Sequence, residues 1–183
     1  MIRCNSLRAI GLAVAVLLSG AAHAALTNKA EYNAARAQAE GAYKLETDGC
    51  KSLSDNAKDI CKQEAKGKFS VAKAEAQYAN SGKPADMQKL GKAKAEALYD
   101  VERERCDDMT GNAKDVCVKT AKATRTKALA NLQLNKDVAS ARTDAADAKR
   151  DADYKVAAEK CDALSGDAKT ACMNTAKARF GKS

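Results

Sequence analysis

Large apolar side chains are sparse along this chain, and where they occur they keep a fixed register with cysteine. Three stretches share one pattern: Tyr43–Lys66, Tyr99–Lys122 and Tyr154–Lys177. In each, a Tyr precedes a first Cys by seven residues and a Leu or Met follows that Cys by three. Positions −7, 0 and +3 share one helical face, so Tyr43, Cys50 and Leu53 (and Tyr99, Cys106, Met109; Tyr154, Cys161, Leu164) form a coiled-coil-like seam. A short polar break follows, then a second Cys with Ala four residues to either side: Ala57 and Ala65, Ala113 and Ala121, Ala168 and Ala176. Small residues on that face let two helices approach closely.

This pattern predicts six helices and no strand. The first incoming helix opens at Thr27 or Asn28 and reaches Leu53. The first outgoing helix runs from Asn56 to Ala79 and stops at Asn80-Ser81-Gly82-Lys83-Pro84, where Pro84 can begin a helix but not continue one. The second hairpin turns after Met109, restarts at Asn112 and fades at Leu134-Asn135-Lys136. The third turns after Leu164, restarts at Asp167 and ends at Phe180-Gly181. Gly111 and Gly166 suit left-handed C-caps, with Asp55 as the first copy's substitute, and Asn56, Asn112 and Asp167 suit N-caps. The repeats then occupy 25–80, 81–135 and 136–183, either folded back on one another up-and-down or strung out as an open array.

The cysteines sharpen this picture. Cys50/Cys61, Cys106/Cys117 and Cys161/Cys172 are each eleven positions apart. On one continuous helix their sulfurs would lie roughly 16 Å apart along the axis. A turn between them brings both to one height, so the spacing reads as a stapled helical hairpin. Six cysteines allow fifteen connectivities, and the repeat makes the local pairing the economical one. Metal ligation is the weaker alternative, because no C-x-x-C occurs and the single His, His23, lies in the leader.

Residues 1–24 read as a secretory signal peptide: Arg3 and Arg8, then an apolar run from Ala9 to Gly20, then Ala22-His23-Ala24 as a cleavage site. Export, most simply to a bacterial periplasm, agrees with an even count of six mature cysteines. No retained membrane span is expected. Net charge is +8, of which Arg3 and Arg8 carry two. After Ala24 only 26 of 159 residues are Val, Ile, Leu, Met, Phe or Tyr, so a thick core is not expected.

Candidate chemistry is thin. The chain after the leader lacks His, the commonest general base, and no phosphate loop, zincin or nucleophile-elbow motif occurs. We therefore expect no enzymatic activity, no cofactor and no metal. Charge is dispersed and aromatics do not interleave with a basic patch, which argues against nucleic acid as partner. Lys58/Lys66, Lys114/Lys122 and Lys169/Lys177 form a two-Lys stripe on each outgoing helix, a candidate anion-binding face whose plainer reading is a solvated surface. Asp144, Asp147 and Asp151 form an acidic stripe of the same solvated kind. Tyr43, Tyr99 and Tyr154 are seam residues and candidate contacts for a partner.

The C-terminal block KCDALSGDAKTACMNTAKARFGKS, with its relatives after Arg105 and Gly49, resembles exported Ala/Lys-rich Cys-pair repeat proteins of Gram-negative bacteria, some labelled TolA-like or cell-envelope biogenesis proteins. That resemblance implies a structural or interaction role at the envelope, with stress tolerance as one form of it, toward an envelope protein, peptidoglycan or an anionic surface. The alternative is a small binding module or enzyme inhibitor acting through a rigid hairpin. An exposed apolar patch around the tyrosines would favour the second.

Overall fold

A computed structural model describes residues 29–182, and these form five α-helices with no strand among them. They are α1 (Lys29–Gly49), α2 (Asp55–Ser81), α3 (Pro84–Arg105), α4 (Gly111–Asp162) and α5 (Gly166–Phe180). The expected leader, and the expected start at Thr27 or Asn28, lie outside the described residues. Each helix packs on its neighbour in sequence: α1 on α2, α2 on α3, α3 on the first part of α4, and α5 on the last part of α4. The all-α array of three stapled hairpins is therefore as expected, but the helix count is not.

Five helices stand where six were expected because α4 is continuous for 52 residues, about 78 Å at 1.5 Å per residue. The break expected at Leu134-Asn135-Lys136 does not occur, and the boundary placed at 135/136 falls inside this helix. The reason is local. No Gly or Pro lies between Asn112 and Asp162, and a lone Asn costs a helix only a fraction of a kcal/mol. The α2–α3 junction has both breakers. Gly82 is left-handed (φ 60°) and its N–H closes on the Tyr78 carbonyl at 2.8 Å, while Pro84 opens α3. Hairpins one and two thus fold back on each other, whereas the third is carried outward on α4.

All three disulfides pair locally: Cys50–Cys61, Cys106–Cys117 and Cys161–Cys172, with Cα separations of 5.7, 5.7 and 5.6 Å. The first Cys of each pair is buried. The tips that make this possible differ in detail from expectation. The incoming chain leaves helix at the first Cys in hairpins one and two, through single 3₁₀ turns at Cys50–Ser52 and Cys106–Asp108. Leu53 and Met109 are extended, not the last helical residues, and with Leu164 they stand exposed at the tips. The left-handed conformation does fall on Asp55, Gly111 and Gly166 (φ 49°, 54° and 56°), but these open the outgoing helices rather than close the incoming ones. The N-caps are Ser54, Thr110 and Ser165, not Asn56, Asn112 and Asp167. Their carbonyls accept from the N–H groups of Lys58, Lys114 and Lys169 at 3.2, 3.4 and 3.4 Å. A two-residue extended linker and one left-handed residue turn the chain more tightly than two separate caps would.

The core is as thin as the composition demands. Ala39, Ala65, Ala76, Ala95, Ala121 and Ala176 are buried, with Val101 the largest aliphatic among them. The Ala four residues after each second Cys is buried, but Ala57, Ala113 and Ala168, four residues before and close to the tips, are exposed. Helix contact is close at two glycines. A Cβ on Gly67 would stand 2.9 Å from the Ala97 Cβ, and one on Gly91 would run into the Leu132 side chain.

A buried carboxylate ties the open end of hairpin one to α3. Asp86 is 5 % exposed and accepts from Lys89 Nζ (2.8 Å), Ser81 Oγ (2.7 Å) and Gln77 Nε2 (3.3 Å). Those hydrogen bonds, from Lys89 first, then Ser81 and Gln77, lower its pKa from 3.8 to about 2. Tyr32 in α1 donates to Gln77 Oε1 at 3.0 Å, extending the network across three helices.

Candidate functional site

The seam tyrosines lead to the one feature on which the three hairpins differ most. Each Tyr faces the residue eight positions after the second Cys, one outgoing-helix turn beyond the buried Ala. In hairpin one this is Phe69, stacked on Tyr43 with ring centres 4.9 Å apart. In hairpin three it is Phe180, edge-on to Tyr154 at 6.3 Å. In hairpin two it is Arg125, whose guanidinium lies 5.2 Å from the Tyr99 ring centre. Arg125 also forks onto Glu96, with Nε–Oε2 2.7 Å and Nη2–Oε1 2.6 Å. That hydrogen bond raises the Arg125 pKa further above its already high value.

The groove between the two helices differs in size from hairpin to hairpin. At hairpin one it shrinks to about 80 Å³, capped by the Tyr43–Phe69 stack and by the Lys68–Glu46 ion pair at 3.1 Å. At hairpin two the equivalent groove is about 670 Å³ and lined by Ala95, Tyr99, Ala121, Thr124 and Arg125. The Lys68–Glu46 latch has no counterpart there, because Thr124 holds the Lys68 position and Glu102 pairs instead with Arg105 at 2.9 Å on its own helix. Leu98, Met109 and Val116 rim this groove and are 51, 43 and 54 % exposed. Hairpin three keeps a groove of about 600 Å³, but Asp153, Lys160 and Arg179 line it. Of these two open grooves, that of hairpin two has the more apolar lining.

The lysine pairs are placed less uniformly than their spacing suggests. Lys114 and Lys169 reach across the tip to Asp107 and Asp162, the residue after each first Cys, at 2.8 and 2.9 Å. The Lys114 bond lowers the Asp107 pKa. Hairpin one has Lys51 at that position, so Lys58 has no such acceptor there. Lys66 and Lys122 are exposed, and Lys177 is half-buried. Asp147 pairs with Arg150, and Asp151 with Lys182, which lowers its pKa. Among the described residues no group of three or more His, Cys, Asp or Glu is placed to hold a metal ion, and no helix is long and apolar enough to cross a membrane.

Two contacts escaped the sequence reading. Asn56, expected as a cap, donates its amide to the Glu104 carbonyl at 2.9 Å and links hairpin one to hairpin two. Arg105 adds an ion pair to Glu64 at 2.8 Å. The residue eight after the second Cys was the other omission. Aligning the three repeats one turn further would have exposed Phe, Arg, Phe at that position. No family model matches the chain, and no curated protein or solved structure is similar to it.

Proposed function

We propose that the protein is a non-enzymatic binding module of the periplasm, exported by residues 1–24 and cleaved after Ala24. Three disulfides in one chain belong to an oxidising compartment outside the cytosol, and the leader's charge and hydropathy pattern narrows that to the Sec-type route. Its binding surface is the groove of hairpin two, and its ligand is an apolar face of a helix on an envelope partner. The observation that carries this reading is the opening of about 670 Å³ beside Tyr99, with Leu98, Met109 and Val116 exposed on its rim. Its alanine floor admits a third helix closely, and the rim supplies side chains that such a helix would cover. This is the apolar patch that favours a binding module over a uniformly polar scaffold.

The test is site-specific photocrosslinking from position 116 in intact cells, compared with the same probe in a Thr124→Lys/Arg125→Phe background that restores the ion pair and ring stack of the closed hairpin one. One discrete adduct that disappears on closure supports the reading. An adduct pattern that closure leaves unchanged, or none at all, removes hairpin two as the binding surface.

A further inference from the structure

Residues 133–153 of α4 are exposed, a stretch of 21 residues, or about 31 Å, which the α5 end of the chain meets only at Asp151, paired with Lys182, and at Asp153, on the rim of the hairpin-three groove, among the described residues. Such a helix holds its shape alone when dense i,i+4 pairs of opposite charge run along it. This one has few. Arg150–Asp147 is the ion pair within the stretch, Asp147 and Asp151 set like charges four apart, and Lys149/Asp153 is the one opposite pair at that spacing. Among the described residues Arg142, Asp144 and Lys149 make no ion pair in the chain.

The apolar residues are not scattered. Leu134, Val138, Ala141, Ala145, Ala148 and Ala152 recur at alternating spacings of four and three, the d and a positions of a heptad. Leu134 and Val138 are 59 and 40 % exposed, and Val156, one turn beyond, is 56 % exposed. At about 100° per residue, this stripe lies roughly 160–180° round α4 from Arg125 and Leu132, which meet α3, and from Tyr154 and Cys161, which meet α5. The chain's own helices therefore cover the opposite face and leave the stripe open along its whole length. The flanks are sorted by sign. Asp137, Asp144 and Asp151 occupy the g positions, while Arg142 and Lys149 occupy the e positions.

We infer that this face binds a second copy of the same chain as a parallel, in-register, two-stranded coiled coil. In that arrangement each g residue faces the e residue of the following heptad on the other strand. Asp137 meets Arg142 of the second copy, Asp144 meets its Lys149, and symmetry doubles both pairs. An antiparallel pair would set the acidic flanks against each other, so the charge pattern selects the parallel one. Alanine at four of the six core positions brings the helices close but buries modest area, which makes the dimer concentration-dependent. This surface is separate from the groove of hairpin two, so either assignment stands without the other.

Sedimentation equilibrium of the oxidised chain from micromolar to submillimolar concentration tests it. The expected result is a mass approaching twice that of one chain. Val138→Asp with Ala145→Asp should return the monomer while leaving the helical circular dichroism intact. Asp144→Lys or Lys149→Asp alone should weaken association about tenfold, and the double exchange should restore it. Ala141→Cys should form a disulfide to its own counterpart under mild oxidation. A monomer across the whole range, association indifferent to the Val138/Ala145 change, or a cysteine that fails to cross-link overturns the proposal.

Discussion

The Arg125 guanidinium lies over the Tyr99 ring where, one repeat earlier, the Phe69 ring stacks on Tyr43. The closed groove of hairpin one has both the Tyr43–Phe69 stack and the Lys68–Glu46 ion pair, whereas hairpin three has an aromatic pair without that latch and keeps its groove. Thr124→Lys together with Arg125→Phe, which supplies a partner for Glu102 and a ring for Tyr99, should rebuild the closed form in hairpin two. The exchange removes an ion pair to Glu96 that is part-exposed on both sides, and a solvent-screened pair of that kind adds little to stability. It adds an aromatic pair worth about 0.5–1.5 kcal/mol beyond its burial. We expect stability in urea to stay equal or rise by about 1 kcal/mol, while fluorescence enhancement of an apolar dye by the protein falls. Undiminished dye binding would place the apolar site elsewhere.

Disulfide removal should not act equally on the three hairpins. An eleven-residue staple contributes about 2–3 kcal/mol through the unfolded chain. The helix α2 packs on both α1 and α3, so it keeps most of its contacts without Cys50–Cys61. Among the described helices the 15-residue α5 packs on α4, and a helix of that length is marginal in water. Replacing Cys161 and Cys172 by Ala should therefore unfold α5 locally, with its amides exchanging near the unfolded rate. The same change at Cys50 and Cys61 should leave α2 protected. Equal protection in both variants would contradict this ordering.

What could be read from the sequence follows from what the repeat makes redundant. The pairing of Cys50 with Cys61 was legible because three copies share one spacing and a continuous helix cannot join them. The seam of Tyr43, Cys50 and Leu53 was legible as far as Cys50, since period and burial agree there. Leu53 was misplaced because a Leu before a polar break looks like a last helical residue, whereas the chain is already extended. The turn of α4 at Asn135 was over-read. Its neighbours are polar, but polarity does not end a helix that lacks Gly and Pro. The contrast between Phe69 and Arg125 lay in view one turn past the repeat as it was bounded, and its meaning needed the distance to Tyr99.

Gly67 sets how closely α2 and α3 meet, because an added Cβ would stand 2.9 Å from the Ala97 Cβ and 3.4 Å from its Cα. Ala is the better helix former by about 1 kcal/mol, but overpacking a helix contact costs about 1–3 kcal/mol. Gly67→Ala should be destabilising by about 1 kcal/mol in chemical denaturation. Ala97→Gly in the same chain should recover much of the loss, a coupling that a propensity effect alone would not produce.

Asp86 gives the fold a defined response to acid. Its folded pKa is about 2 against an ordinary 3.8, held down first by the Lys89 hydrogen bond and then by Ser81 and Gln77. A carboxylate with a depressed folded pKa stabilises the fold in full above the unfolded value, and that contribution is lost as pH falls through the folded one. The window here runs from about pH 4 down to about pH 2. Asp86→Asn should be less stable than the parent above pH 4. Between those limits the parent's stability should fall toward the variant's, because protonation removes the charge that Lys89, Ser81 and Gln77 solvate. Guanidinium denaturation of both proteins at closely spaced pH values reads the difference directly. A gap that stays constant from neutral pH to pH 2 would mean that the ionised form of Asp86 does not hold the α2–α3 junction, and that the packing of Gly82 and Pro84 alone suffices there.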